Sequence, residues 1–284
     1  MTAKTYKLFI GGNLTNPENG RFIPVIDKRN KNILYQYPLC SAEDVQNAVS
    51  AARTGFNSWR VKSDVEKSEI LTGIACLLDE HKEMFAKYLP EGKAKAFKEI
   101  DKAGKILQQY AGLADKWYPL MSTVNPVQEG YFCFSIPEPM GIVAVLLPEE
   151  LPLISMITAI CPVILTGNSC VVISSESHPL AALNFGEILK LSGLPAGVIN
   201  ILTGYKKEII IPLASHMDVN AFYYCDSDPS FKKDVKIACA GNIKRFITLT
   251  KNGKNENRMD AIKKNLHIIK NFVHLKTVWH TVGA

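Results

Sequence analysis

The chain of 284 residues has no apolar run that could cross a bilayer, which takes ~20 residues. Its longest, residues 151–165, carries Pro152 and Pro162 and is expected as a buried core helix. The opening Met1-Thr2-Ala3-Lys4 lacks the apolar stretch of a secretion signal, so a cytoplasmic location is expected. The seven cysteines form no CxxC pair, are odd in number and have mostly apolar neighbours. Reduced, packed thiols are expected in place of a disulfide framework. Repeats, low-complexity tracts and metal-spaced clusters of His, Cys, Asp and Glu are also missing, and no metal site is expected. Charge is not one-sided: the net charge is +6, with lysines interleaved among acids. The densest basic stretch, Lys263, Lys264, Lys270 and Lys276, has little aromatic interleaving. Neither a nucleic-acid nor a membrane partner is expected.

What remains is ordinary globular material, 47% apolar and 21% charged, enough for a sizeable core. Residues 6–10 before Gly11-Gly12 read as a strand entering a tight turn, with further strands at 21–26 and 33–37. Ser41, with Asp44 three residues on, caps a helix whose apolar face is Val45, Ala48, Val49 and Ala52. Helical periodicity predicts two longer helices, over about 64–89 and 94–117. Tyr131 to Ile136 reads as a strand and Pro137 to Pro139 as a break. From Gly141 a strand–helix rhythm begins: strands at 141–147, 170–174, 198–202, 220–224 and 246–249, with helices at 151–165, 179–192 and 208–215. Short apolar strands alternating with helices predict an α/β fold with a parallel sheet covered on both faces. A last strand over 274–281 follows a polar helix and stands outside that rhythm.

Several segments carry a specific resemblance. Ile136-Pro137-Glu138-Pro139-Met140-Gly141, Pro148-Glu149-Glu150-Leu151-Pro152, Gly167-Asn168-Ser169-Cys170, Ser175-Glu176 and Leu194-Pro195-Ala196-Gly197 stand in the order and spacing of the aldehyde dehydrogenase superfamily. Residues 41–60 resemble that superfamily's first helix. Pro148 to Pro152, residues 240–245 and Leu275-Lys276-Thr277-Val278-Trp279 resemble more closely the C-terminal unit of aldehyde dehydrogenase family 16. That unit ends soon after its nucleotide domain. The resemblance implies one unit over 1–284, with N-terminal strands and helices in 1–120 and a Rossmann-like nucleotide domain in 141–255. A β arm for oligomerisation would be built from 125–140 and 272–284. Through the arm a homodimer, or a catalytic aldehyde-dehydrogenase-like partner subunit, is expected.

The resemblance also says which chemistry to look for. The superfamily's oxyanion-hole Asn position reads Glu150 here, and a carboxylate repels a developing oxyanion. The base position falls in Thr248-Leu249-Thr250-Lys251-Asn252-Gly253, with no acid, and no cysteine follows Cys239 to serve as nucleophile. Cys225 and Cys239 read as structural thiols, and no catalytic residue is assigned. For NAD(P), the Lys of the ribose pair reads Ile173, while Glu176 matches the Glu. The Gly-Ser-x-x-x-Gly turn reads Asp226-Ser227-Asp228-Pro229-Ser230-Phe231, keeping Ser227 alone. Asp226 and Asp228 would repel phosphates, and Phe231 would block close backbone approach. Glu176 and Ser227 are thus vestigial cofactor candidates, and no cofactor is expected. The leading reading is a pseudoenzyme with a structural, oligomerisation or partner-binding role. The alternatives are an NAD(P)-dependent oxidoreductase acting on aldehydes, or part of one when joined to a catalytic subunit, and a nucleotide-binding regulatory module resting on Glu176 alone.

Overall fold

The computed structural model describes residues 4–26, 32–90, 92–248 and 265–282. The chain starts with β1 (Lys4–Thr5), β2 (Leu8–Ile10) and β3 (Asn13–Thr15). Gly11 and Gly12 join β2 to β3 at φ 60° and 75°. A two-residue hairpin turn needs that left-handed backbone, which glycine adopts without a Cβ clash. β4 (Phe22–Ile26) pairs antiparallel with β5 (Ile33–Pro38), whose other edge takes β1 in parallel.

Helix α1 (Ala42–Trp59) starts as its sequence implies. Ser41 Oγ accepts the Asp44 amide, and the Asp44 carboxylate accepts the Ser41 amide at 2.7 Å. Ser63 and Glu66 repeat the device at α2 (Asp64–Glu80). The predicted helix over 64–89 is broken at His81. Its ring nitrogen lies 2.8 Å from the Leu77 carbonyl, and its ψ of 12° leaves the helical range. A short α3 (Lys82–Phe85) and a 3-10 turn (Ala86–Tyr88) follow. Next comes α4 (Lys93–Ala111), shorter than expected because Gly112 ends it, and Trp117 opens a separate α5 (Trp117–Met121).

The remaining elements are β6 (Thr123–Asn125), β7 (Tyr131–Pro139), β8 (Ile142–Leu146), α6 (Pro152–Leu165), β9 (Ser169–Ile173), α7 (Pro179–Leu191), β10 (Ile199–Leu202), α8 (Lys206–Ser215), β11 (Val219–Tyr224), α9 (Lys232–Ala240), β12 (Arg245–Thr248), α10 (Asn265–Ile269) and β13 (Val273–Thr281). The main sheet has the order β12-β11-β8-β9-β10-β2-β3. Its first five strands run parallel, and β2 joins β10 antiparallel. The expected α/β architecture is therefore present, extended by an N-terminal hairpin that periodicity alone could not assign to this edge. Leu249, the expected last residue of β12, lies outside the described residues, as does Asp27 at the end of β4. The periodicity reading had no helix at α9, where only Val235 and Cys239 are buried.

Strand residues alternate between two cores. Val143, Val145, Cys170 and Val172 face α2, α4, α6 and α7, while Ile142, Ala144, Leu146, Val171 and Ile173 face α1, α8 and α9. Full burial of each Val, Ile or Leu is worth about 1.5–3 kcal/mol. Strands buried on both faces thus outweigh any local preference of their short sequences. Close approach sets α1 on the sheet: a Cβ on Gly55 would stand 2.3 Å from the Gly197 carbonyl carbon. No helix among the described residues is long and apolar enough to cross a membrane.

β7 lies between β13 and β6 in a separate three-stranded sheet, its nine residues 131–139 pairing antiparallel with 273–281. The expected break at Pro137 to Pro139 is absent. β6 pairs only with Cys133 to Ser135, so beyond that point β7 has a neighbour on one side, where proline is tolerated. The sheet is tied to the body through buried Asn168. Its amide accepts from Gly141 N at 2.8 Å and donates to the Phe272 carbonyl at 2.8 Å.

Candidate functional site, the crevice at the strand ends

In an open parallel sheet the ligand crevice lies beyond the C-terminal ends of the strands. Four adjacent strands each send one charged residue there: Glu149 after β8, Glu176 after β9, Lys206 after β10 and Asp226 after β11. The Lys206 ammonium sits among them, 95% buried. It pairs with Glu149, reaches Asp226 at 2.6 Å and donates to the Leu147 carbonyl at 3.0 Å. The Asp226 side chain is 6% exposed, that of Glu149 36%.

The electrostatics agree from both partners. Burial alone would raise the Glu149 carboxyl, but hydrogen bonds from Lys206, Ser175 and Ser177 outweigh it and hold it at about 2. Burial would likewise lower Lys206, yet the hydrogen bonds to Asp226 and Glu149 keep it above the ordinary lysine value. Tyr37 is pushed up to about 12, by burial first and then by the nearby Tyr205 and Glu176.

The backbone donors of this crevice are also in use. Glu149 accepts the Glu176 and Ser177 amides at 3.2 and 2.9 Å, together with Ser175 Oγ at 2.6 Å. Glu176 accepts the amide of Lys206, the first residue of α8. Asp226 accepts from Asp228 N at 3.1 Å, and Asp228 from Ser230 N at 2.9 Å. Amides that could hold a phosphate at helix and turn entries instead hold the chain's own carboxylates.

The residues singled out from sequence take different places. One oxygen of Glu176 is engaged at α8, so the ribose candidate caps a helix. Ser227 is exposed and its side chain makes no hydrogen bond among the described residues. Ile173 is fully buried in β9. Phe231 packs half-buried against the core beside α9. Glu150 is exposed, just before Leu151, a non-glycine residue at φ 47°. The first amides of α6 do not face open space: Glu99, 97% buried, accepts Leu153 N at 3.0 Å and Ile154 N at 3.2 Å. Cys225 and Cys239 are buried, and burial raises the Cys239 thiol. The base-position stretch, apart from Thr248, lies outside the described residues. No cluster of three His, Cys, Asp or Glu able to hold a metal occurs among the described residues.

Lys206 is the residue that motif reading missed. It matches no motif and stands in an unremarkable Tyr-Lys-Lys-Glu run. One signal was present, since it is the first charge after the apolar strand 198–202.

Residues 14–262 match the model of the Aldehyde dehydrogenase family. Aldehyde dehydrogenase family 2 member B4, mitochondrial, of Arabidopsis thaliana is 31% identical over 256 residues, 88% of this chain and 47% of that protein. Retinal dehydrogenase 2 of Mus musculus is 32% identical over 262 residues, 89% of this chain and 50% of that protein. The NAD+ complex of an aldehyde dehydrogenase from Bacillus cereus superposes with a TM-score of 0.80 at 23% identity, covering 86% of this chain and 50% of that one. The chain thus spans about half the length of the relatives it matches. Shared sequence over that half, and the same order of strands and helices, show that this chain belongs to the aldehyde dehydrogenase family.

Proposed function

We propose that this chain is a non-catalytic aldehyde-dehydrogenase-like unit with a structural, oligomerisation or partner-binding role. The observation that carries the reading is the buried Lys206 ammonium between Glu149 and Asp226, in the crevice where a dinucleotide would have to lie. A pyrophosphate there would meet carboxylates on the amides it needs, and entry would require breaking a desolvated ion pair. Glu150 at the oxyanion-hole position supports the same conclusion. The likeness of residues 240–245 and 275–279 to the C-terminal unit of aldehyde dehydrogenase family 16 fits a unit that works beside a catalytic one.

The arm is where a partner would join. Its outer strands β13 and β6 leave edges unpaired among the described residues, and Val124, Tyr131, Phe132 and Trp279 are exposed on it. An apolar strand with an open edge favours pairing with a second copy or with a catalytic subunit. The rival reading, an NAD(P)-linked aldehyde oxidoreductase, draws on the named activities of the relatives and on Glu176.

Calorimetric titration with NAD+ and NADPH separates the two. The expected result is no saturable heat at millimolar cofactor. Micromolar binding abolished by Glu176→Ala would overturn the reading. Light scattering of a Phe132→Ser, Trp279→Ser variant tests the arm: the expected outcome is a smaller assembly than wild type.

A further inference from the structure

The geometry points to a second ligand site, independent of the crevice: a cavity of about 660 Å³ under the arm that takes a monocarboxylate with a short aliphatic body. Small-molecule sites fall in this size range and combine apolar walls with a few placed polar groups. The arm's inner face forms the floor. There Thr123 Oγ1 donates to Asn125 Oδ1 at 3.0 Å, Asn125 Nδ2 donates to Ser135 Oγ at 2.9 Å, and Ser135 and Thr277 hydroxyls meet at 2.9 Å. That row is satisfied internally, so it shapes the cavity without demanding a ligand.

The demand comes from the walls. On one side stand two cations, Arg245 from the start of β12 and Lys270 from the turn before β13. Three fixed bonds hold the Arg245 guanidinium: Nη1 donates to the Asn271 and Val273 carbonyls, both at 2.9 Å, and Nη2 lies 3.3 Å from His274 Nδ1. None of these partners is a carboxylate, and Arg245 has no ion pair among the described residues. Lys270 is exposed and has no hydrogen bond or ion pair among the described residues. No acidic side chain is among the described residues that line the cavity. On the other side Leu120 and Leu275, 62% and 63% exposed, border buried Met121 and Val273. A carboxylate against Lys270 and Arg245, with its aliphatic chain along Leu120 and Leu275, satisfies both walls at once. A simple inorganic anion would leave the apolar wall wet, and a neutral alcohol would leave the cations unanswered.

The test uses the whole chain with octanoate, acetate and 1-octanol as probes. Binding is followed by calorimetry and located by the methyl signals of Leu120, Met121 and Leu275. Octanoate is expected to saturate with those signals shifting, and acetate and 1-octanol to bind at least about tenfold more weakly. Lys270→Met should weaken octanoate about tenfold, the loss of one charge-assisted contact. Leu120→Glu, a change at an exposed position, should abolish binding with the thermal midpoint unchanged. Equal binding of octanoate and 1-octanol, shifts confined to other methyls, or full affinity in Lys270→Met would each overturn the proposal.

Discussion

Replacing Lys206 by methionine keeps the length and apolar stem of the side chain and removes its charge. Two carboxylates then lose their counter-ion, but unequally. Glu149 is more than one-third exposed and keeps hydrogen bonds from Ser175 and Ser177, so water and those donors absorb much of its loss. Asp226 is 6% exposed and keeps one amide donor, Asp228 N. The cost therefore falls on Asp226, and stranding one buried charge is worth about 3–5 kcal/mol. For a chain of this size that lowers Tm by roughly 2–4 °C per kcal/mol. Adding Asp226→Asn to Lys206→Met removes the stranded charge and should recover most of the loss. The pH dependence carries a second signature. With Glu149 held at about 2 when folded and ~4.3 when unfolded, its stabilisation is complete above the unfolded value and fades as pH falls toward 2. Lys206 is raised, so its stabilisation is complete below the ordinary lysine value and fades as pH rises through the folded one. Lys206→Met should flatten both ends of the profile. Urea and thermal unfolding from pH 2 to 11 make the measurement. A Lys206→Met protein within 0.5 kcal/mol of wild type, a margin of about the error of independent sites, would refute the reasoning.

Glu99→Ala strands two α6 amides in a buried place; thermal unfolding should show a loss of about 2–3 kcal/mol, partly restored in Glu99→Gln. Gly197→Ala would put a Cβ 2.1 Å from the Ala51 carbonyl oxygen at φ 84°; a loss above about 3 kcal/mol or an insoluble product is expected on expression. Six of the seven cysteines are buried and Cys76 is exposed; a thiol reagent should titrate one group quickly in native buffer and seven in denaturant.

Much of the fold was legible because its signals are local. The Ser41–Asp44 box lies within four residues, and the stretches 142–146 and 170–173 announce their burial through unbroken apolar runs. Family likeness was legible in the same way, in segments such as Pro148 to Pro152 that can be compared position by position. The interruptions at His81 and Gly112 were harder, since both sit inside or beside strong helical periodicity. The continuation of β7 through Pro137 and Pro139 depends on which neighbours the strand has, and no single segment states that.

The sequence by itself thus determined the layer architecture and the family, because both are written in neighbouring residues. Only the tertiary structure decided which charged side chains meet at the strand ends. Glu149, Glu176, Lys206 and Asp226 are spread over nearly eighty positions of sequence, and a parallel sheet brings the ends of their four strands side by side. A lysine desolvated in that crevice takes its meaning from carboxylates that only the register of the sheet places within reach.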